Sequence, residues 1–530
     1  MSPSPSSYLK TILYQIITQK GSLAALVGLY ALIFLIGTLV YKDYGVSWDE
    51  FEQIGIGAAN YQMIVQNEPP KVNYTTLYYG PFFELILFVL SGQPPDSSLL
   101  YLRRHFLTFM AAFSGLLAFG VLILYITRKR WLAFWGVLFL FLSPRIFADS
   151  FYNSKDIPFM AVFIVGCLTQ IWFLDSPSLL KALVHGIICA AAIATRISAL
   201  ILPVLTLIFL EFGLLLKRQD RRIKLQRYVL PGLLLILVVV GGIVLFYPIL
   251  WSKTWQNFRI ILQLMGHYPW DGGNLYLGQF ISATQVPWHY IPVWVAITTP
   301  PLYLMLLLIG SGVVVARLVK IRHFRDLAQR RNDLLLLSWS FLPWLVVVLM
   351  GSVLYDGWRH LYFIYPGLLL LALEGLNSLS NLKIPYPRFK KVLLGFLIIG
   401  GLVGPISFMI RNHPFENLYF NFFAGKSMVE IKQNFDMDYW GLSYRKGLEA
   451  ILAQDPRDHI LYASDRPPGQ LNLPILPPEQ RKRLEYTTDQ QKANYYLVGY
   501  LDHPGEYPFP GEVYSVVIDG AKILTVYRLR

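Results

Sequence analysis

Residues 21–50 read GSLAALVGLYALIFLIGTLVYKDYGVSWDE, twenty almost uninterrupted apolar positions followed by a polar turn and two adjacent carboxylates. A helix rises 1.5 Å per residue, so about 20 residues cross the roughly 30 Å hydrocarbon core of a bilayer. The run from Gly21 to Val40 therefore reads as a membrane span. Lys10 and Lys20 precede it and no small-residue cleavage signature follows, which favours a retained first helix over a removable signal region.

Apolar runs of similar length recur along the chain. Candidate spans fall at 22–41, 105–127, 131–148, 158–174, 182–197, 198–216, 229–248, 291–317, 334–354, 361–378 and 391–410, eleven in all. The stretch 182–216 is too long for one span, and Arg196 with the nearby Pro203 divides it in two. Pro81 to Leu90 is apolar but short and carries Glu84, so it is assigned to a helix lying on the membrane surface. A hydrophobic content of 55% and a mean hydropathy of +0.46 agree with this polytopic reading.

The net charge of +14 would suggest nucleic acid in a soluble protein, but here it collects in alternate loops. These are Arg128-Lys129-Arg130, the stretch with Lys181, and the segments Lys217 to Arg227, Arg317 to Arg331 and Lys383 to Lys391. Basic loops stay on the cytoplasmic side. The parity predicts a cytoplasmic amino terminus and no nucleic-acid partner. The other loops and the carboxyl terminus then lie outside. Cys167 and Cys189 both sit in apolar runs and read as core residues, not as a disulfide framework or metal site. From Arg411 the apolar runs shorten to strand length, at His459 to Ala463, Tyr495 to Tyr500 and Ile523 to Tyr527, with a helix expected around Ser443 to Ala453. The expected architecture is an all-α polytopic membrane domain over 1–410 and a small extracytoplasmic α/β domain over 411–530.

Polar residues gather at the helix mouths of the outer side. Ser47-Trp48-Asp49-Glu50-Phe51 follows the first span, and its carboxylates suit either a helix start or a site. Arg145, Asp149, Lys155 and Asp156 crowd the loop before the fourth span; charges there need water, partners or a cavity. His267 and His289 lie among aromatics in the largest middle loop, without metal-ligand spacing. Asp356-Gly357-Trp358-Arg359-His360 adds cationic donors at the tenth span, and a guanidinium can bind phosphate through two parallel hydrogen bonds. Carboxylates and cations from distant segments thus meet on one face, as a composite site would require.

The order of these motifs resembles the GT-C superfamily of membrane glycosyltransferases, above all the protein O-mannosyltransferases and the lipid A aminoarabinose transferases. Trp48-Asp49-Glu50 looks like the acidic motif of their first external loop. Asp156 in Lys155-Asp156-Ile157-Pro158 matches the acidic position of their second. Pro287-Trp288-His289-Tyr290, Thr298-Thr299-Pro300 and Gly357-Trp358-Arg359-His360 are similar to bacterial members of the O-mannosyltransferase-like group. The likeness covers about residues 20–410, and the chain lacks the large lumenal insertion of the eukaryotic enzymes.

The resemblance implies an inverting glycosyltransferase of a bacterial inner membrane. It would use a polyprenyl-phosphate-linked sugar and a lipid, glycan or protein acceptor, among membrane lipids. Asp49 would be the general base, with Glu50 positioning it or the acceptor. Lys155 and Asp156 would orient sugar or phosphate, and Arg145, Arg196, His267, Arg359 and His360 would bind substrate. No cofactor is expected to be required, although a divalent metal bridging carboxylate and phosphate is compatible with the same chemistry. The rival from another class is a transporter or flippase for a lipid-linked sugar, whose charges would be expected nearer the midplane within internal repeats. A non-enzymatic assembly protein would tolerate loss of Asp49, and a glycan ligase would differ only in the length of its donor.

Overall fold

The computed structural model describes residues 20–66, 74–216, 224–266, 268–321, 327 and 329–530. Its first helix, α1, runs Lys20–Val40 and ends where the polar turn begins. The chain re-enters helix at α2, Glu50–Gln66, and then forms the ten-residue apolar helix α3, Phe82–Ser91. Helix α4, Ser97–Thr127, starts on Asp96, whose side chain accepts from the Ser98 N–H. Next come α5 (Arg130–Phe141), α6 (Pro144–Tyr152), α7 (Asp156–Asp175), α8 (Leu179–Thr195), α9 (Ile201–Leu216) and α10 (Leu230–Phe246). The middle segment holds α11, Thr254–Gly266, and a hairpin of β1 (Gly273–Tyr276) and β2 (Gln279–Ser282). Helices α12 (Tyr290–Thr298), α13 (Pro301–Val319), α14 (Arg331–Met350), α15 (Tyr365–Asn381) and α16 (Pro387–Asn412) complete the bundle.

Among the described residues nine helical segments are long and apolar enough to cross a membrane, or ten if α5 and α6 form one bent span. The chain is a multi-pass membrane protein. Three expected spans differ in detail. The run 131–148 bends by 67° between α5 and α6, because Pro144 lacks an N–H and steers Ser143 into an extended conformation (φ −91°, ψ 101°). The run 291–317 breaks at Thr299-Pro300-Pro301, so that α13 alone spans and α12 stands apart. The run 182–197 becomes α8, with 17 residues a short helix for a span. The division at Arg196 is where the sequence places it, with that residue extended between α8 and the following 3-10 turn. Pro203, in contrast, falls inside α9 and does not break it.

Among the nine long spans, α7 and the segment ending in α15 are the most enclosed, and the short helix α6 is buried along its whole length. α13 and α15 touch backbone to backbone at Gly310 and Gly375, where an added Cβ would meet the partner's carbonyl oxygen at 1.8 and 2.1 Å. Four helices are tied together by polar pairs inside the bundle. Gln170 Nε2 donates to Thr206, Trp339 Nε1 donates to Gln170, and His185 bonds Thr169 and Thr206, tying α7, α8, α9 and α14 together. Cys167 and Cys189 are buried and unpaired with each other, as the sequence suggests.

After α16 the chain forms α17 (Met428–Asn434) and α18 (Ser443–Gln454) and then a five-stranded mixed sheet. Its strands are β3 (Ile460–Ser464), β4 (Leu484–Tyr486), β5 (Tyr495–Gly499), β6 (Glu512–Ile518) and β7 (Ala521–Arg528), in the order β4-β3-β5-β7-β6. β3 pairs in parallel with β4 and β5, whereas β7 is antiparallel to β5 and β6. The three strands and the helix expected from sequence are all present. The β1–β2 hairpin was not anticipated. Its tip rests on α17, where Gly278 N–H donates to the Asn434 carbonyl (3.1 Å).

Candidate functional site

The mouths of α2, α7, α8 and α15 converge at the end of the bundle covered by the sheet region. The two adjacent carboxylates of the 47–51 motif part company there. Glu50 is buried and turns inward to His105 on α4, 3.1 Å away, while its Oε2 accepts the Ser47 N–H at 2.8 Å. It closes the start of α2 as a capping residue does. Asp49 points the other way, onto the Lys155 ammonium and, at 3.4 Å, the Arg359 guanidinium.

Asp156 begins α7 beneath them. Asn153, just before that helix, accepts the Asp156 N–H (3.0 Å) and donates to its carboxylate (3.0 Å), so the loop itself aims the side chain. Arg196 meets Asp156 at 2.7 Å and Arg359 meets it at 3.4 Å. Arg196 also donates to the Tyr79 hydroxyl at 3.1 Å. Tyr79 is held there because Gly80 lies against the end of α8, where a Cβ would collide with the Thr195 carbonyl oxygen. Arg359 in turn bonds Asp356 (2.7 Å from Nη2) and lies over the rings of Tyr355 and Trp440. Six charges from four stretches of chain thus share one cluster: Asp49, Asp156 and Asp356 with Lys155, Arg196 and Arg359.

Access divides the cluster. Asp156 and Arg359 are each 1% exposed, whereas Asp49 and Asp356 keep 25% and 21%. Burial opposes the charge on Asp49, but Lys155, Arg359 and Arg196 outweigh it and hold the carboxyl below the ordinary carboxylate range. Asp356 moves the opposite way. Burial raises it, Arg359 offsets only part of that, and Asp49 adds repulsion.

A second buried polar layer supports the first. Arg104, beside His105 on α4, bonds Glu84 at 2.8 Å and Ser154 at 3.4 Å, and Ser154 also bonds Glu84. Neighbouring residues of one helix therefore pin the residues next to Asp49 and next to Lys155. The sheet region pins the same loop from the other side. The Asn472 side chain accepts the Val46 N–H (2.7 Å) and donates to the Val46, Gly441 and Pro468 carbonyls (3.0–3.2 Å). Arg445 donates to the Lys42 and Tyr44 carbonyls (2.7 Å each), and Trp48 N–H donates to the Trp440 carbonyl (2.9 Å).

Of the residues singled out from sequence, Asp49, Lys155, Asp156, Arg196 and Arg359 are brought together. His360 is adjacent, edge-on to the Tyr355 ring at 4.7 Å. Glu50 belongs to the supporting layer. Arg145 lies elsewhere, over the Trp294 and Phe420 rings with its Nε donating to the Tyr419 carbonyl, because the turn at Pro144 directs it away from the cluster. His267 falls outside the described residues. Asp356 and Glu84 were noted in the sequence but not assigned to the candidate site, and Tyr79, Asn153, Trp440, Arg104 and His105 were not singled out. A signal existed for Glu84, Arg104 and His105, since charges inside apolar runs are costly and need partners. Among the described residues no group of three or more His, Cys, Asp or Glu is placed to hold a metal ion.

No protein-family model matches the sequence, and no curated protein sequence matches it. The structure is similar to two crystal structures of ArnT from Cupriavidus metallidurans, one bound to undecaprenyl phosphate and one in the apo state. Each is 12% identical over 96% of this chain and 98% of that one, with a TM-score of 0.48.

Proposed function

We propose that this chain is an inverting GT-C-type glycosyltransferase, taking a sugar from a polyprenyl-phosphate donor to a lipid, glycan or protein acceptor. The single observation that carries the reading is the mixed-charge cluster at one end of the bundle. In it a partly open carboxylate, Asp49, stands beside two cations that can neutralise a phosphate. A phosphate leaves as a stabilised anion and needs charge neutralisation, whereas the attacking group benefits from a base. One carboxylate and several cations meet both needs, unlike the acid and base carboxylate pair of most glycosidases.

In the proposed step the acceptor hydroxyl or amine attacks the anomeric carbon and forms the new glycosidic bond. The bond from that carbon to the phosphate oxygen breaks, and polyprenyl phosphate departs with the electron pair. The acceptor proton passes to Asp49. Arg359 meets the phosphate charge, Lys155 stays beside Asp49 and orients the sugar, and Asp156 holds Arg196 and Arg359 in place. The reading requires no cofactor. It puts the site, and with it the 411–530 domain, on the extracytoplasmic face of a bacterial inner membrane, with the amino terminus cytoplasmic. A transporter would need such charges nearer the midplane, and here they gather at one end.

The test is transfer of label from a panel of polyprenyl-phosphate sugars to a membrane-extract acceptor, by the purified chain and its Asp49→Asn variant. The parent should transfer sugar and a monodisperse variant should lose at least about 100-fold, the usual share of a general base. Equal activity in the two would remove Asp49 from catalysis. No transfer from any donor would sink the class.

A further inference from the structure

The six-charge cluster is balanced as it stands, three carboxylates against three cations, so an anionic ligand would leave it one charge short. Glu52 on α2 worsens the deficit, since it is exposed and within electrostatic reach of Lys155 and Asp49. Resting on the phosphate-donor reading above, we propose that binding of a polyprenyl phosphodiester is coupled to uptake of one proton, and that Asp356 is the residue that takes it.

The three carboxylates differ in what they keep when a phosphate engages Arg359. Asp49 keeps Lys155. Asp156 keeps Arg196, the Asn153 amide and its own backbone N–H bonded to Asn153. Asp356, among the described residues, has Arg359 as its one ion-pair partner. Nor can it follow the guanidinium. It sits in the left-handed region (φ 56°) ahead of Gly357 (φ 71°), and the turn is fastened at both amides. Asp356 N–H donates to Asn274 Oδ1 of the hairpin (3.2 Å) and Gly357 N–H donates to the Tyr290 hydroxyl of α12 (3.2 Å).

The other groups facing Asp356 give little help to a charge there. From the 47–51 motif comes Asp49, from the α7 entrance Lys155, from its own segment Tyr355, from α12 Tyr290, and from the 436–439 stretch Asp436 and Tyr439. Two are like charges, three are phenols, and the single cation, Lys155, already bonds Asp49. Burial has raised the Asp356 carboxyl before any ligand arrives. Once Arg359 turns to the phosphate, protonation is the one way left to neutralise this carboxylate in place.

The test is calorimetric titration of the full-length, detergent-solubilised chain with a methyl polyprenyl phosphate. This diester carries one fixed charge and does not itself titrate near neutrality. The same titration is run in two buffers of different ionisation enthalpy between pH 7 and 8. The expected result is uptake of about one proton per diester bound, with affinity weakening about tenfold per pH unit as pH rises. Uptake should vanish in Asp356→Asn and persist in Glu52→Gln, which leaves the three carboxylates and three cations of the cluster in place. Binding without buffer-dependent heat in the parent would overturn the proton coupling and leave the phosphate reading standing. Undiminished uptake in a monodisperse Asp356→Asn would overturn the assignment of the residue. Failure of the parent to bind the diester would instead remove the phosphate site on which the inference rests.

Discussion

Asn472→Ala should loosen the loop that carries Asp49 without touching any charge of the cluster. The Asn472 side chain makes four hydrogen bonds, and the one to Val46 N–H serves a residue that is fully buried. A buried amide left without a partner costs about 1–3 kcal/mol, and each further hydrogen bond lost adds about 0.5–1.5 kcal/mol, part of it recovered by relaxation. A total of about 2–4 kcal/mol follows, which lowers the protection of a locally opening segment by about 30- to 1000-fold. Amide hydrogen exchange reports this directly. Protection at Val46 and Trp48 should fall by that range, and that of β5 and β7, which Asn472 does not touch, should hold. Parent-like exchange at Val46 would refute the clamp and with it the role given to the sheet region. A uniform loss over the whole region would show that Asn472 supports folding rather than the loop.

Other perturbations separate the layers of the site. Arg359→Lys keeps a charge but loses the planar fork that reaches three carboxylates, so binding of a polyprenyl phosphate should weaken by about 10- to 100-fold, read by calorimetry. Arg104→Met leaves Glu84 buried without its cation and should cost about 3–5 kcal/mol, lowering the thermal midpoint in detergent; adding Glu84→Gln should recover part of it. His413 lies outside the spans and bonds Glu416 (2.6 Å) and Asp43 (3.1 Å), contacts that raise it above the ordinary histidine value although burial opposes them. A raised folded value means stabilisation that is full below about pH 6.5 and lost as pH climbs through the raised value. The thermal midpoint should therefore fall over that window, and His413→Gln should flatten the profile.

What sequence could and could not show follows from the range of each interaction. Span length and loop charge are local, so the positions of the long helices were legible, as was the break at Arg196. The breaks at Pro144 and Pro300 were written locally too, but a hydropathy average runs across a proline and joins what the backbone separates. The site was legible as a set of residue types, because charges at helix mouths are costly unless used. Its pairing was not. Asp49 and Glu50 look equivalent in sequence and turn to opposite sides, because α4 presents His105 to one and the α7 entrance presents Lys155 to the other. Trp440 and Asn472 reach the first loop from about 400 residues away, and no spacing rule links them to it.

The arrangement also bears on when Asp49 could act as a base. A carboxylate held below the ordinary range by Lys155, Arg359 and Arg196 is ionised but accepts a proton poorly. A phosphate that drew Arg359 toward itself would remove that attraction while burial still disfavoured the charge, and the basicity of Asp49 would rise. Asp356 would rise for the same reason, from a higher start. On the proposed function, one guanidinium shared among three carboxylates would link donor binding to the readiness of the base. An empty site would then be a weak base toward stray hydroxyls, and a filled one would become competent where the anomeric carbon would stand.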